Sequence, residues 1–377
     1  MLRLVLLVIL FLISLLAVFN APAYYLWLLA IIVTEYSWIL ILVTLSVLTW
    51  GFWVGRYNVA GTIIGVVALL LFASPLLRAA VVAGHIRDEM QTALGNSSRK
   101  VSFPSNRNPF SLPRLFKKAA TLPSQSLTYT RYSDTALNLD FYRAKAGGKR
   151  PCVVVIHGGS WSSGDSRQLP ELNSYLSSIG YQVASINYRL APKYQAPAAI
   201  EDVQNALNYL RAHADSLQID TSRFVLLGRS AGAQIALLAA YTLRNSGIKA
   251  VIDFYGPADM VWGYSVPANP LVMNSRLVME RYLGGPYKAI PQKYAASSPI
   301  EFVDSKTVPT LIIHGGNDVL VAYEHSARLN KRLRQNNITH YWLQLPWATH
   351  GFDYNINGPG GQLSNYAVET FLQNTVH

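Results

Sequence analysis

The chain has 377 residues, of which 51% are hydrophobic and only 14% are charged, and it carries a net charge of +12 at pH 7. This length suits one large domain or two ordinary ones, and so small a share of charge is unusual for a purely soluble protein. The chain has a single cysteine, Cys152, which excludes an internal disulfide and a metal-thiolate site. The basic charge comes without the aromatic and basic motif that is typical of nucleic-acid binding. We therefore expect neither a metal nor a nucleic acid as a partner.

Apolar residues are concentrated in the first 83 positions, in runs at residues 4–19, 24–54 and 59–77. The last two runs reach the roughly 18 to 20 residues that a helix needs to cross a bilayer, and the first ends at a helix-breaking proline. We therefore predict about three transmembrane helices within residues 1–83. The second run is long enough for an additional, partial element near residues 24–33.

Two other interpretations of this region stay open. Residues 4–19 would also suit a cleaved signal peptide that begins at Arg3, although no signal peptide continues as far as residue 77. A buried pair of core helices would be equally apolar, but core helices usually keep a polar face.

Residues 84–126 are polar and basic, and they include the stretch NSSRKVSFPSNRNPFSLPRLFKK. This composition predicts a linker, or a cap on the next domain, that lies on an anionic membrane surface. Because basic residues tend to stay on the cytoplasmic side, we expect the following domain in the cytoplasm. Arg3 and Arg56 favour the opposite orientation if three helices cross the membrane.

Strand and helix patterns alternate from residue 127 to residue 377. Strand-like runs lie at residues 127–132, 137–142, 152–157, 182–188, 224–228, 250–255, 310–314 and 341–345. Helix-like runs lie at residues 168–178, 198–212, 231–243, 323–335 and 363–373. The strand–helix–strand order implies parallel strands with right-handed crossovers, and strands such as CVVVIH are apolar on both faces. These residues therefore predict an α/β domain with a mostly parallel eight-stranded sheet and helices on both faces.

The segment GRSAG, residues 228–232, has the form G-x-S-x-G and stands between a predicted strand and a predicted helix. The two glycines remove side chains that would collide in a sharp turn, so that the hydroxyl of Ser230 is exposed above the sheet. The N–H of Ala231 opens the next helix and is free to donate. The alternative is a tight turn with an inert serine.

A serine hydroxyl needs a base to take its proton and an acid to orient that base. Asp318 and His350 each follow a later strand, in the order that such an arrangement requires. Asp253 and Asp259 are alternative acids, and His350 would otherwise be an ordinary loop residue. His314 is expected to be structural, and no chemistry is assigned to the remaining candidates, which are His85, His157, His213, His325 and His340.

An oxyanion formed at the substrate needs N–H donors, and the segment HGGSW supplies two glycines directly after a strand. Gly158 and Gly159, together with Ala231, would provide three backbone donors. The alternative is an ordinary turn made of two glycines.

Six segments together resemble the α/β-hydrolases, and within them the carboxylesterase group with hormone-sensitive-lipase-like and acetyl-esterase-like enzymes; they are HGGSW, NYRLAPKYQAPAAIEDV, GRSAG, FYGPADM, HGGNDVLV and THGF. The resemblance covers about two thirds of the chain. It implies an α/β-hydrolase fold and a serine carboxylic ester hydrolase of the EC 3.1.1 type that needs no cofactor. It also implies a catalytic triad of Ser230, Asp318 and His350 and an oxyanion hole at Gly158, Gly159 and Ala231.

One departure affects the expected substrate. Hormone-sensitive-lipase-like enzymes have a third glycine where this chain has Ser160, followed by Trp161, and this form is more similar to polysaccharide acetyl esterases, aryl formamidases and membrane-bound prenylcysteine methylesterases. We expect a short-acyl or acetyl ester of a small molecule, lipid or glycan as substrate. Part of residues 257–299 is expected to cover the substrate pocket, a plain surface insertion being the alternative.

We expect an integral membrane protein of a bacterial inner membrane, with membrane lipids as partners. Two other functions stay open. The same nucleophile would serve an acyltransferase if the pocket favoured an alcohol over water. A catalytically silent fold would serve as a membrane-tethered binding module.

Overall fold

Eight strands form one sheet in the computed structural model, which describes residues 1–53, 58–95, 100–105, 107–244 and 246–376. In chain order they are β1 (Gln125–Arg131), β2 (Ala136–Tyr142), β3 (Arg150–Ile156), β4 (Gln182–Ile186), β5 (Ile219–Arg229), β6 (Ile248–Phe254), β7 (Thr310–Gly315) and β8 (His340–Leu345). Their order across the sheet is β1-β2-β4-β3-β5-β6-β7-β8, with β2 antiparallel to both neighbours and every other adjacent pair parallel. The predicted mostly parallel eight-stranded sheet is confirmed.

The described α-helices are α1 (Leu2–Ser14), α2 (Tyr24–Glu35), α3 (Ser37–Thr49), α4 (Asn58–Leu94), α5 (Pro170–Ser178), α6 (Ala198–Ala212), α7 (Ala214–Leu217), α8 (Ala231–Thr242), α9 (Met260–Ser265), α10 (Ser275–Leu283), α11 (Pro291–Ala296), α12 (Glu324–Gln335) and α13 (Pro359–Thr375). Short 3-10 helices lie at Leu15–Ala17, Trp50–Trp53, Leu112–Phe116, Pro299–Phe302 and Phe352–Tyr354.

Side-chain alternation along β3 explains why helices cover both faces of the sheet. Cys152 and Val154 pack in one apolar cluster with α6, α8 and α12. Val153 and Val155 point the other way and pack with α5, α13 and the second half of α4. Because both faces are covered, the central parallel strands are apolar throughout, as predicted.

Helix α4 extends into the hydrolase-like domain, past the boundary predicted at residue 83. Ile86 and Met90 are fully buried in the cluster under the sheet. Arg87 Nε donates to the hydroxyl of Tyr366 at 2.8 Å on the same side of the helix. The first residues of the segment predicted as a linker therefore continue the helix and pack against the domain.

The prediction of about three transmembrane helices is wrong in number for the described residues. By length and composition, α4 is the one described helix that is long and apolar enough to cross a bilayer. A second span results if α2 and α3, which meet at an angle of 85°, are counted as one broken span. The first apolar run forms α1, which has only 13 residues and falls short of the roughly 20 that a span needs. The second run is interrupted at Tyr36, which separates α2 from α3. The additional element predicted near residues 24–33 is α2.

The segment 257–299 contains three short helices that the sequence patterns did not predict, α9, α10 and α11. Two of them are capped by side chains: Asp259 accepts from the N–H of Trp262, and Asn274 accepts from that of Leu277. Helices α9 and α10 lie at the end of the sheet where Ser230 is found, and their residues line a cavity beside it.

Candidate active site

Ser230 lies in the turn between β5 and α8, with φ of 54° and ψ of −121°. Such a backbone is strained for a residue with a side chain, and it is typical of a nucleophile held at a sharp turn. A Cβ atom at Gly232 would lie 2.3 Å from the backbone carbonyl oxygens of Ile156 and His157. A Cβ atom at Gly228 would lie 2.2 Å from the carbonyl oxygen of Gly232. The close approach of the backbones therefore requires both glycines.

Asp318, His350 and Ser230 form a continuous hydrogen-bonded chain. His350 Nε2 lies 3.0 Å from Ser230 Oγ, and His350 Nδ1 lies 2.7 Å from Asp318 Oδ2. The other oxygen of Asp318 accepts from two backbone N–H groups in the following loop, at 2.9 Å each. The loops after β7 and β8 thus bring together three side chains that the sequence order had related.

The carboxyl group of Asp318 is held in its ionised form. Burial alone would raise its pKa, but the charges and hydrogen bonds of His350 and His314 lower the pKa well below its usual range. His314 Nε2 lies 3.2 Å from Asp318 Oδ2, and its Nδ1 lies 2.6 Å from Ser326 Oγ. His314 was expected to be structural; its position in the sequence HGGND, four residues before Asp318, was a signal that it would contact the acid.

The two alternative acids lie elsewhere. Asp253 is fully buried, its Oδ1 accepts from the N–H of Gly256, and burial raises its pKa to about 7. Asp259 caps α9 and pairs with Arg328 Nη2 at 2.9 Å. Neither carboxylate is hydrogen-bonded to His350 in the described part of the chain.

The three predicted oxyanion donors are not equivalent. The N–H of Gly158 donates to Gln168 Oε1 at 2.8 Å, so it is occupied, and this side-chain contact corrects the expectation of three free donors. Ala231 opens α8, where the N–H has no intrahelical acceptor. Within the described residues neither Ala231 nor Gly159 donates its N–H to another group. Gly159 has φ of 121°, and a Cβ there would lie 2.1 Å from the carbonyl oxygen of Ser163.

A buried network lies against the ring of His350, and the sequence analysis did not anticipate it. The rings of Tyr255 and His350 are 4.3 Å apart, and the Tyr255 hydroxyl donates to Asp353. Asp353 also accepts from Arg229 Nε at 2.5 Å. Burial raises the pKa of Tyr255 well above its usual range, so the phenol remains a donor.

Helix α2 contributes directly to this site. The indole Nε1 of Trp27 donates to the backbone carbonyl of His350 at 3.0 Å. At the other end of the helix, Glu35 Oε2 accepts from the N–H of Gly360 at 2.9 Å, near the start of α13. An N-terminal apolar segment and the domain that follows are therefore joined beside His350.

Two cavities flank Ser230. The smaller one, about 150 Å³, has a mainly apolar wall that includes Trp161, Met279 and Val266. The larger one, about 460 Å³, is lined by Gly159 and His350 and by Tyr24 and Trp27 of α2. The arrangement would hold two parts of a substrate on opposite sides of the serine.

Replacing Trp27 with phenylalanine is expected to lower kcat for a soluble ester about three- to tenfold and to leave KM little changed. The variant keeps an aromatic ring in the cavity wall but loses the hydrogen bond that holds the backbone of His350, and one such bond contributes about 1 kcal/mol. Steady-state kinetics and a melting curve would measure this. Trp38→Phe is the matched control, because the indole N–H of Trp38 has no acceptor within the described residues. A W27F variant with unchanged kcat would contradict a positioning role.

Several known proteins are similar to this chain over about two thirds of its length. The BD-FAE family matches residues 139–333. Among curated proteins of Mycobacterium tuberculosis, "Esterase LipC" is 31% identical over 264 residues, covering 65% of this chain and 63% of its own length. "Probable carboxylic ester hydrolase LipM" is 28% identical over 264 residues, covering 65% of this chain and 60% of its own length. The chain thus spans about 60% of the length of these relatives.

Solved structures show the same fold at lower identity. A structure described as "Bacterial Heroin Esterase" superposes with a TM-score of 0.60 at 21% identity, over 70% of this chain and 88% of its own. The esterase Est2 of Thermogutta terrifontis superposes with a TM-score of 0.57 at 20% identity, over 66% of this chain and 91% of its own. The chain therefore has the α/β-hydrolase fold over about two thirds of its length.

Proposed function

The chain belongs to the BD-FAE family, an α/β-hydrolase esterase family, and from this premise we propose that it is a membrane-anchored serine carboxylic ester hydrolase acting on short-acyl esters. The observation that carries the proposal is the hydrogen-bonded chain from Asp318 through His350 to Ser230. A hydroxyl in contact with an imidazole whose other nitrogen faces a buried carboxylate is the arrangement that serine hydrolysis requires.

In the proposed mechanism Ser230 Oγ attacks the ester carbonyl while His350 Nε2 takes its proton. Asp318 holds the imidazole in the tautomer that accepts at Nε2 and stabilises the imidazolium that forms. The N–H groups of Gly159 and Ala231 would donate to the oxyanion, the second at the positive end of α8. The imidazolium then protonates the leaving alcohol, and water cleaves the acyl-enzyme by the same proton route.

The smaller cavity supports a short acyl group. Its volume of about 150 Å³ is comparable to that of an apolar cavity which takes up one benzene molecule. Met279, which is buried, and Val266 are among the residues that line it. An acetyl to butyryl chain would fit on this side of Ser230, and a long fatty acyl chain would not.

The larger cavity supports a bulkier alcohol. Its wall combines the aromatic rings of Tyr24 and Trp27 with the polar groups of Ser163 and Gln168. Such a mixture of flat apolar surface and hydrogen-bonding groups suits the alcohol part of a lipid or glycan ester, either of which would carry the short acyl group into the site.

Membrane anchoring is supported by α4 and by the broken pair α2 and α3. Large apolar side chains such as Ile63, Leu70 and Leu42 are exposed on these helices, as suits contact with lipid. Basic residues after α4 support a position of the domain on the cytoplasmic side of a bacterial inner membrane. Since α2 lies over the triad, the substrate would enter close to the membrane surface.

The detergent-solubilised chain is expected to hydrolyse p-nitrophenyl acetate and butyrate, with kcat/KM falling at least tenfold for the octanoate because each methylene that does not fit costs binding free energy. Met279→Ala enlarges the smaller cavity and should move the preferred acyl length upward. Leu277→Ala, on an exposed position of the same helix, is the control that should keep the original profile. A chain that consumes the ester only after an alcohol is added would favour acyl transfer, and no turnover of any ester would contradict the proposal.

A further inference from the structure

A strongly basic groove lies apart from the triad. It is a cavity of about 460 Å³ between the segment that follows α4, helix α5 and the loop before α13. One carboxylate, Glu171, lines this basic groove against five cationic side chains, which are Arg107, Arg114, Lys117, Lys118 and Lys145. The charge of the groove is therefore strongly positive, which favours an anion as its ligand.

Four of the five cationic side chains of the groove have no carboxylate partner among the described residues. Nη1 of Arg114 is buried and has no hydrogen-bond acceptor, and among the described residues no carboxylate lies within 4.0 Å of the cationic groups of Arg114, Lys117, Lys118 or Lys145. Arg107 is the exception, with Glu369 at 3.6 Å. A buried guanidinium nitrogen left without an acceptor is costly, which favours an external anion as its partner.

An apolar surface continues directly from the basic groove. A neighbouring cavity of about 360 Å³ shares Lys117 and Lys118 with it and includes residues at the start of α3 and in the 3-10 helix Leu112–Phe116 in its wall. The rings of Trp38 and Phe116 are 4.7 Å apart there, and Phe116 is 62% exposed. Beyond them the exposed face of α3 carries Leu42 and other apolar side chains.

We propose that the basic groove binds the phosphate headgroup of an anionic membrane lipid, whose acyl chains lie along Trp38, Phe116 and the exposed face of α3. Arginine and lysine are the usual donors to phosphate oxygens, and basic clusters beside apolar helices attract anionic lipids. Aromatic side chains at the boundary between the two surfaces suit the headgroup level of a bilayer. The site does not depend on the proposed hydrolysis, since none of its residues contacts the triad.

Phosphate chemistry alone would equally suit a soluble phosphorylated molecule, but two features favour the lipid. The neighbouring cavity shares the lysines of the basic groove and adds the rings of Trp38 and Phe116, so a ligand with both a phosphate and apolar chains would contact both. The same apolar surface runs onto α3, which with α2 forms a possible broken membrane span. A small soluble anion would leave this surface unused.

Binding of dihexanoyl phosphatidylglycerol, dihexanoyl phosphatidylcholine and glycerol 1-phosphate to the full chain in detergent would test the proposal by calorimetry. We expect phosphatidylglycerol to bind at least tenfold more tightly than either of the other two. Each lysine near an anionic headgroup contributes about 1 kcal/mol, a factor of about five, so Lys117→Gln combined with Lys118→Gln should weaken phosphatidylglycerol binding about 25-fold. Trp38→Ala should weaken phosphatidylglycerol binding without changing that of glycerol 1-phosphate.

The matched control is Lys288→Gln combined with Lys331→Gln, two exposed lysines outside the groove, which should leave the affinity unchanged. All variants should keep wild-type turnover of a soluble ester, which reports that they are folded. Equal binding of the two phospholipids, or full affinity in the groove variant, would overturn the proposal. Glycerol 1-phosphate binding as tightly as phosphatidylglycerol would also overturn it and assign the groove to a soluble phosphorylated molecule.

Discussion

Replacing Ser230 with alanine is expected to lower kcat for p-nitrophenyl acetate by about 10⁵-fold or more, to the level of residual catalysis without a nucleophile. The hydroxyl is the only atom of the chain that lies within hydrogen-bond distance of His350 Nε2 among the described residues, at 3.0 Å. Without it the imidazole has no proton to take and no acyl-enzyme can form. Turnover measured on the purified protein, together with labelling by a fluorophosphonate, would check both consequences.

Ser216→Ala provides the control for this substitution, because Ser216 is exposed and its hydroxyl donates to the nearby backbone carbonyl of His213. It should keep full turnover and full labelling. The melting temperature of S230A should stay close to that of the wild type, since the change removes one oxygen from a half-buried side chain. Labelling or turnover that survives in S230A would refute the proposed nucleophile.

Much of the α/β domain was predictable because its determinants are local in the sequence. Strands buried on both faces, such as β3, are continuous apolar runs, and a glycine-flanked serine between a strand and a helix is typical of a nucleophile held at a sharp turn. Asp318 and His350 could be chosen because each follows a strand of a parallel sheet, and the ends of such strands meet at one edge.

Contacts between distant parts of the chain were not predictable in this way. The indole of Trp27 reaches the backbone of a residue 323 positions later, and no spacing rule relates the two. The side chain of Gln168 occupies the N–H of Gly158, although the glycine motif alone suggested a free donor. Both are properties of the packed structure, in which loops from different strands converge.

The number of transmembrane helices was overestimated for a related physical reason. Apolar content measures the preference of a segment for lipid, but it does not reveal where the backbone bends. The bend of 85° between α2 and α3 follows Glu35, whose carboxylate is buried at the start of α13. Glu35 is the one acidic residue in the second apolar run. It is therefore a point at which this segment contacts the α/β domain, in addition to the contact made by Trp27.

Replacing Asp318 with asparagine is expected to lower kcat about 10⁴-fold with little change in KM. The asparagine amide would donate where the carboxylate accepts from His350 Nδ1, so the imidazole would carry its proton on Nε2 and could not take one from Ser230. Asp259→Asn is the matched control, since Asp259 is also a buried aspartate after a neighbouring strand and was one of the two alternative candidates for this role. Steady-state kinetics on both variants would decide between them. Loss of turnover in D259N with activity retained in D318N would reverse the assignment of the acid.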